Sequence, residues 1–208
     1  TNMDIDQATD EYYDKLYAAN PHIWWALPCI TLEKTWQFFD KSKAFLDLWC
    51  WQWRNALYMA RNWFSVEAID ASLEAIEQLK RESMRLGLTI SARCSEILEY
   101  PISDKYSVVS LINVISFWKR QTGLDYLEAL KKSVWIGTHI VITWLLQSDA
   151  FFQENWECLF FEAGELKWLF SEFECKFYQE DTLVDPPHEW YPYPHQHAFA
   201  RIVCQKVR

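Results

Sequence analysis

Three of the five histidines stand in one short run, PPHEWYPYPHQH (186–197), with four of the seven prolines. Proline fixes φ and moves the residue before it away from helix, so the run is held extended, close to polyproline II. In an extended chain His195 and His197 face one side. With His188, Glu189 or Cys204 they could complete a zinc set. No H-E-x-x-H and no paired cysteines support such a site, so no metal is assigned, and His188, His195 and His197 stand only as candidate ligands. The rings of Trp190, Tyr191 and Tyr193 sit on a backbone that has little freedom left to lose, which suits a loop that binds a peptide, a partner or a flat ligand. The competing reading makes the run a strap over the core, with those rings as its anchors.

Other catalytic templates are missing. A phosphate or nucleotide cradle needs glycine where backbone approaches ligand, and glycine occurs only at 87, 123, 137 and 164. There is no G-x-S-x-G elbow. Cys204 follows His197 closely enough to suggest a thiol–imidazole pair, but six cysteines and five histidines generate such pairs by chance. Glu154, Glu157, Glu162 and Glu165 have near-helical spacing without the Glu-x-x-His of a di-iron bundle. No catalytic set and no cofactor are assigned.

The totals narrow the class. A chain of 208 residues suits one domain with a sizeable core. A formal charge of −9 opposes phosphate backbones, so nucleic acid is not an expected partner. The cysteines include no C-x-x-C and read as reduced thiols of a cytoplasmic protein. The acidic start, MDIDQATDEYYD, is not a signal peptide. The longest apolar stretch, 134–146, is polar at Thr138, His139 and Thr143 and shorter than the roughly 20 residues of a membrane span.

Thirteen tryptophans against four glycines are far from ordinary usage. Seven of them fall between 24 and 63. Steps of four and three from Leu32 meet Trp36, Phe39, Lys43, Leu46, Cys50, Trp53, Leu57, Ala60 and Phe64, all apolar but Lys43. That periodicity predicts one long helix from Thr31 to Phe64 with a wide buried face. Trp51 stands off the stripe beside Arg54 and Tyr58, a composition common in interface hot spots. Further helices are predicted over 4–19, over 65–87 with Gly87 as C-cap, over 88–100, over 103–120, and over 124–132 after a turn at Thr122-Gly123. Residues 133–147 are rich in β-branched side chains, so a strand competes there, but helix is preferred on length. Residues 151–170 read as helical with a break near Gly164, with a hairpin turning at Ala163-Gly164 as the alternative. Alternation at 173–177 and 199–207 suggests two strands that pair across the proline-rich segment.

The fold expected is mainly α: an irregular bundle of six to seven helices in one domain spanning 1–208, with a small C-terminal β-hairpin as an option and a Pro/aromatic/His-rich loop at 181–197. The function expected is a soluble interaction or regulatory protein, of inhibitor or immunity type. It would bind a protein partner through Trp51, Arg54, Tyr58, Trp190, Tyr191 and Tyr193, with a second copy of the chain as another allowed partner. Enzymatic activity is the less favoured reading. The alternative is an enzyme or carrier with an aromatic-lined pocket for a small ligand, cofactor or metal near His195 and His197.

Overall fold

A computed structural model of the chain describes residues 14–15, 18–19, 27–51, 53–98, 100–113, 118–153, 155–185 and 193–208. The expected helices over 4–19 fall largely outside them, as do most of HIWWALP (22–28) and residues 186–192. The described residues form a seven-stranded sheet with five α-helices, and the expected helical bundle is wrong.

The long helix from Thr31 to Phe64 does not exist. That stretch holds α1 (Ile30–Thr35), a 3₁₀ turn at Trp36–Phe38, β1 (Ala44–Leu48) and α2 (Arg54–Arg61). The break before β1 is an Asx turn, in which the Asp40 carboxylate accepts the Ser42 N–H at 2.9 Å. The segment read as a helix from 65 divides in the same way. β2 (Val66–Asp70) ends on an aspartate that accepts the Ser72 N–H at 2.9 Å. Ser72 then caps α3 (Leu73–Arg85) by accepting the Ala75 N–H at 3.1 Å. Residues 88–100 supply β3 (Ile90–Cys94), and 103–120 supply β4 (Tyr106–Ile112), strands where helices were expected.

Further along, α4 (Arg120–Ser133) passes straight through Gly123. Glycine is there for contact, not for a turn: a Cβ would lie 2.6 Å from Leu159 Cδ2. The disputed run 133–147 is a strand, β5 (His139–Leu145). α5 (Glu165–Leu169) is all the helix that follows Gly164. β6 (Glu174–Asp185) and β7 (His195–Gln205) pair antiparallel, joining the two segments that alternate in sequence. They are the end of the large sheet and not a separate hairpin, because β7 also pairs with β5.

The helical periodicity misleads for a physical reason. In β1, β2, β4 and β5 nearly every residue is buried, because helices cover both faces of the sheet. Such strands read as unbroken apolar runs, which satisfy a period of 3.6 as readily as one of 2. Their side chains nevertheless alternate between two cores. Phe45, Val108, Ile112 and Val141 pack with α1, α2 and α3 through Leu32, Ala56, Met59 and Ile76. Leu46, Leu48, Val109, Leu111 and Ile142 pack with α4 and α5 through Leu127, Leu130 and Leu166.

The strand order is β3-β2-β1-β4-β5-β7-β6, with β1 to β5 mutually parallel wherever they pair and β7 antiparallel to both neighbours. The chain starts at the middle, moves outward through β2 and β3, then returns to lay β4 on the other side of β1.

One buried acid lies inside this sheet. Asp47 is 1% exposed and accepts the Ser110 hydroxyl at 2.7 Å across the β1–β4 pair. Burial pushes its carboxyl up to about 7, against the hydrogen bond from Ser110 and the charge of Arg54. The folded state thus holds this proton more tightly than the unfolded chain does. Its contribution to stability is full below pH ~4 and is lost as pH rises through about 7. We expect Asp47→Asn to flatten that dependence. At pH ~8 the variant should be the more stable by on the order of 3 kcal/mol, with the difference gone near pH ~4, as read by urea unfolding.

Candidate active site

In an open sheet built this way, ligands bind beyond the carboxyl ends of the strands, where the strand order reverses. Here that point lies between β1 and β4. The connection from β1 to α2 runs over it. Trp49, Trp51 and Trp53 in that connection have φ of 65°, 50° and 70°. The turn is tied down by backbone: the Cys50 N–H donates to the Ile69 carbonyl at 2.9 Å and the Trp53 N–H to the Cys50 carbonyl at 3.0 Å. The rings of Trp49 and Trp51 lie 6.1 Å apart, centroid to centroid. Opposite, β4 ends at Asn113, with φ 59° and its N–H on the Thr143 carbonyl at 3.0 Å.

Asp70 closes the site on the β2 side. Its carboxylate is 2% exposed and accepts the N–H of Trp51 and that of Ser72, each at 2.9 Å. An acidic residue at the tip of the second strand, about 20 residues beyond the turn after the first, is the position that binds ribose hydroxyls in nucleotide folds.

A second polar group sits at the same edge of the sheet, where β5 ends and β7 begins. Asp149 is 4% exposed. One of its oxygens accepts the Phe151 N–H at 2.9 Å; the other accepts the Ala198 N–H at 2.8 Å and His197 Nδ1–H at 3.0 Å. Burial pushes this carboxyl up, but the bonds from His197, Phe151 and Ala198 outweigh it and hold it below the ordinary carboxylate range. His197 Nε2 meets His195 Nε2 at 3.0 Å, and His195 Nδ1 faces the Tyr193 carbonyl at 3.2 Å. An ionised carboxylate and a carbonyl only accept. His197 therefore donates from Nδ1 to Asp149, and one hydrogen joins the two Nε2 atoms.

The residues singled out in the sequence fall in different places. Trp51 and Arg54 belong to the β1–α2 connection and the first turn of α2, and Tyr58 lies one turn further; all three are half-buried. Tyr193 is exposed, while His188, Trp190 and Tyr191 lie outside the described residues. His195 and His197, held only as candidate ligands of a metal that was not assigned, direct ring nitrogens at each other and at Asp149. Asp47, Asp70 and Asp149 were missed. A signal existed for two of them, since Asp70-Ala71-Ser72 and Asp149-Ala150-Phe151 are aspartates placed to bond an N–H two residues on.

The family model for tellurite resistance protein TehB matches residues 30–184. No curated protein matches the chain by sequence. Among solved structures, TehB from Haemophilus influenzae superposes with a TM-score of 0.72 at 20% identity, covering 95% of this chain and 66% of that one. A SAM-dependent methyltransferase from Anabaena variabilis gives 0.71 at 13% identity, covering 99% and 96%. The N-methyltransferase NodS from Bradyrhizobium japonicum, in complex with S-adenosyl-L-homocysteine, gives 0.58 at 15%, covering 84% and 82%. The fold is the Rossmann-like one of methyltransferases. Family and fold indicate an enzyme, which overturns the expectation of a non-enzymatic interaction protein and lies nearer the alternative of an enzyme with a small-ligand site. The chain, whose sheet reverses its order above a turn flanked by Asp70, belongs to the TehB family.

Proposed function

We propose that this chain is an S-adenosylmethionine-dependent methyltransferase whose acceptor is a small oxyanion. The observation that carries the first part is Asp70, a buried carboxylate at the tip of β2 beside the turn at the point where the strand order reverses. That geometry suits the ribose of an adenosyl cofactor. The turn residues do not suit it. A nucleotide cradle needs backbone without side chains at its closest approach, and three indoles stand at 49, 51 and 53.

The oxyanion is supported by the family's description, which names tellurite resistance, and by the histidine pair. An imidazole can donate a hydrogen bond to an anionic oxygen. His195 is the half-buried, outer member, and Asp149 holds His197 in one tautomer behind it.

The test uses Trp49→Gly/Trp51→Gly/Trp53→Gly, which opens the turn. Calorimetric titration of this variant with S-adenosylhomocysteine should show binding, and adding Asp70→Ala should weaken it by roughly 10-fold or more. No binding by the opened variant would sink the cofactor assignment. In the same background, His197→Ala should lower methyl transfer to tellurite by about 100-fold or more while leaving S-adenosylhomocysteine affinity in place. An unchanged rate would remove the histidines from the reaction.

A further inference from the structure

Among the described residues, five that are not glycine have left-handed backbone: Trp49, Trp51, Trp53, Trp63 and Asn113. Asparagine tolerates that region. For a bulky side chain it is a genuine outlier, because Cβ presses on the following carbonyl. Four tryptophans in one chain share it.

Two of the four have glycine twins elsewhere in the molecule. α2 ends with the Trp63 N–H on the Ala60 carbonyl at 3.1 Å and the Phe64 N–H on the Met59 carbonyl at 3.2 Å. α3 ends with the Gly87 N–H on the Met84 carbonyl at 3.1 Å and the Leu88 N–H on the Ser83 carbonyl at 2.9 Å. Both are Schellman motifs, and the residue after the cap is where glycine belongs. Trp63 has φ 70° and Gly87 has φ 65°. At the other end of α2, Trp53 is the N-cap with φ 70° and ψ −11°. Gly164 caps α5 with φ 78° and ψ −11°. Packing does not explain the Trp63 ring, which is 84% exposed. Trp144 is a contrast: it lies in β5, 1% exposed, with its indole N–H donated to the Leu159 carbonyl.

Composition agrees. Average usage would give a chain of this length about 15 glycines; it has four, with 13 tryptophans. The glycine shortfall is about as large as the tryptophan surplus. The spacing agrees in part, since 49 and 51 stand as far apart as the first two glycines of a G-x-G-x-x-G turn, while 53 falls one residue short of the third.

We infer that positions 49, 51, 53 and 63 are glycine in the cell that makes this protein, inserted at UGA triplets. UGA is one base from the tryptophan codon UGG and one base from the glycine codon GGA, and genetic codes exist that read it as either residue. The turn after β1 is then Asp47-Leu48-glycine-Cys50-glycine-Gln52-glycine, with no Cβ at 49, 51 and 53. Its role as a cofactor cradle rests on the methyltransferase reading; the glycines themselves rest on backbone geometry and composition.

The deciding experiment is tandem mass spectrometry of peptides covering 47–64 from the protein isolated from its own cells, read beside the gene. We expect glycine at all four positions, each lighter by the indolylmethyl group, and UGA in each codon. Tryptophan there, or UGG codons, overturns the inference whatever the protein binds. A second measurement needs no cofactor either. The variant Trp49→Gly/Trp51→Gly/Trp53→Gly/Trp63→Gly should melt about 10 °C above the tryptophan form. An equal or lower Tm would also overturn it. If the peptides show glycine but the glycine protein fails to bind S-adenosylhomocysteine, the codon inference stands and the methyltransferase reading falls.

Discussion

The connection between β1 and α2 has only the residues from 49 to 53 in which to reverse the chain and bring a helix back over the strand it has just left. Left-handed backbone makes so short a reversal feasible. It lets the Cys50 and Trp53 N–H groups find carbonyls, and it aims the Trp51 N–H at Asp70. With an L side chain each such residue costs about 1–2 kcal/mol, so the three in this connection cost about 3–6 kcal/mol. A domain is stable by only about 5–15 kcal/mol in total. Side chains at these positions therefore take a large share of that margin, which glycine would restore.

The two edges of the sheet are built differently. At the amino-terminal side, Glu67 in β2 accepts Tyr106 OH and Lys105 Nζ, each at 2.7 Å, and also Tyr100 OH, with Arg93 Nε at 3.4 Å. Burial would raise this carboxyl, but the bonds from Lys105, Tyr100 and Tyr106 outweigh it and hold it below the ordinary range. Those partners come from β3, β4 and the segment between them, so the network ties one half of the sheet together. At the carboxyl edge, Asp70 and Asp149 accept backbone N–H groups and an imidazole. One edge is a clamp, and the other is left for chemistry.

How much of this was legible follows from burial. β6 and β7 alternate at 173–177 and 199–207, and their pairing could be read. So could the cap at Gly87. The central strands could not, because Tyr106–Ile112 and Ala44–Leu48 have no solvent face to mark a period of two. The short polar turns that separate them, Asp40-Lys41-Ser42 and Asp70-Ala71-Ser72, were the available signal, and each is an aspartate bonding forward. The active-site turn was hidden for a different reason. Its signature is glycine at alternate positions, and the residues written there are among the least glycine-like. A search for glycine passes over a turn whose backbone is left-handed at 49, 51 and 53.

The same fact changes what the aromatic excess means. Tryptophans crowded between 24 and 63 suggest either a core or a binding surface, because an indole is costly to leave in water without a reason. Trp63 meets neither description. Its ring is in solvent, while its backbone completes a helix terminus that Gly87 completes identically one helix later. A residue whose main chain is indispensable and whose side chain is idle is doing what glycine does. Trp51, taken from sequence as the centre of a partner-binding group, has the same left-handed backbone, and its N–H lies on Asp70. The feature that pointed most strongly to a protein interface is thus better explained as the backbone of an active-site turn.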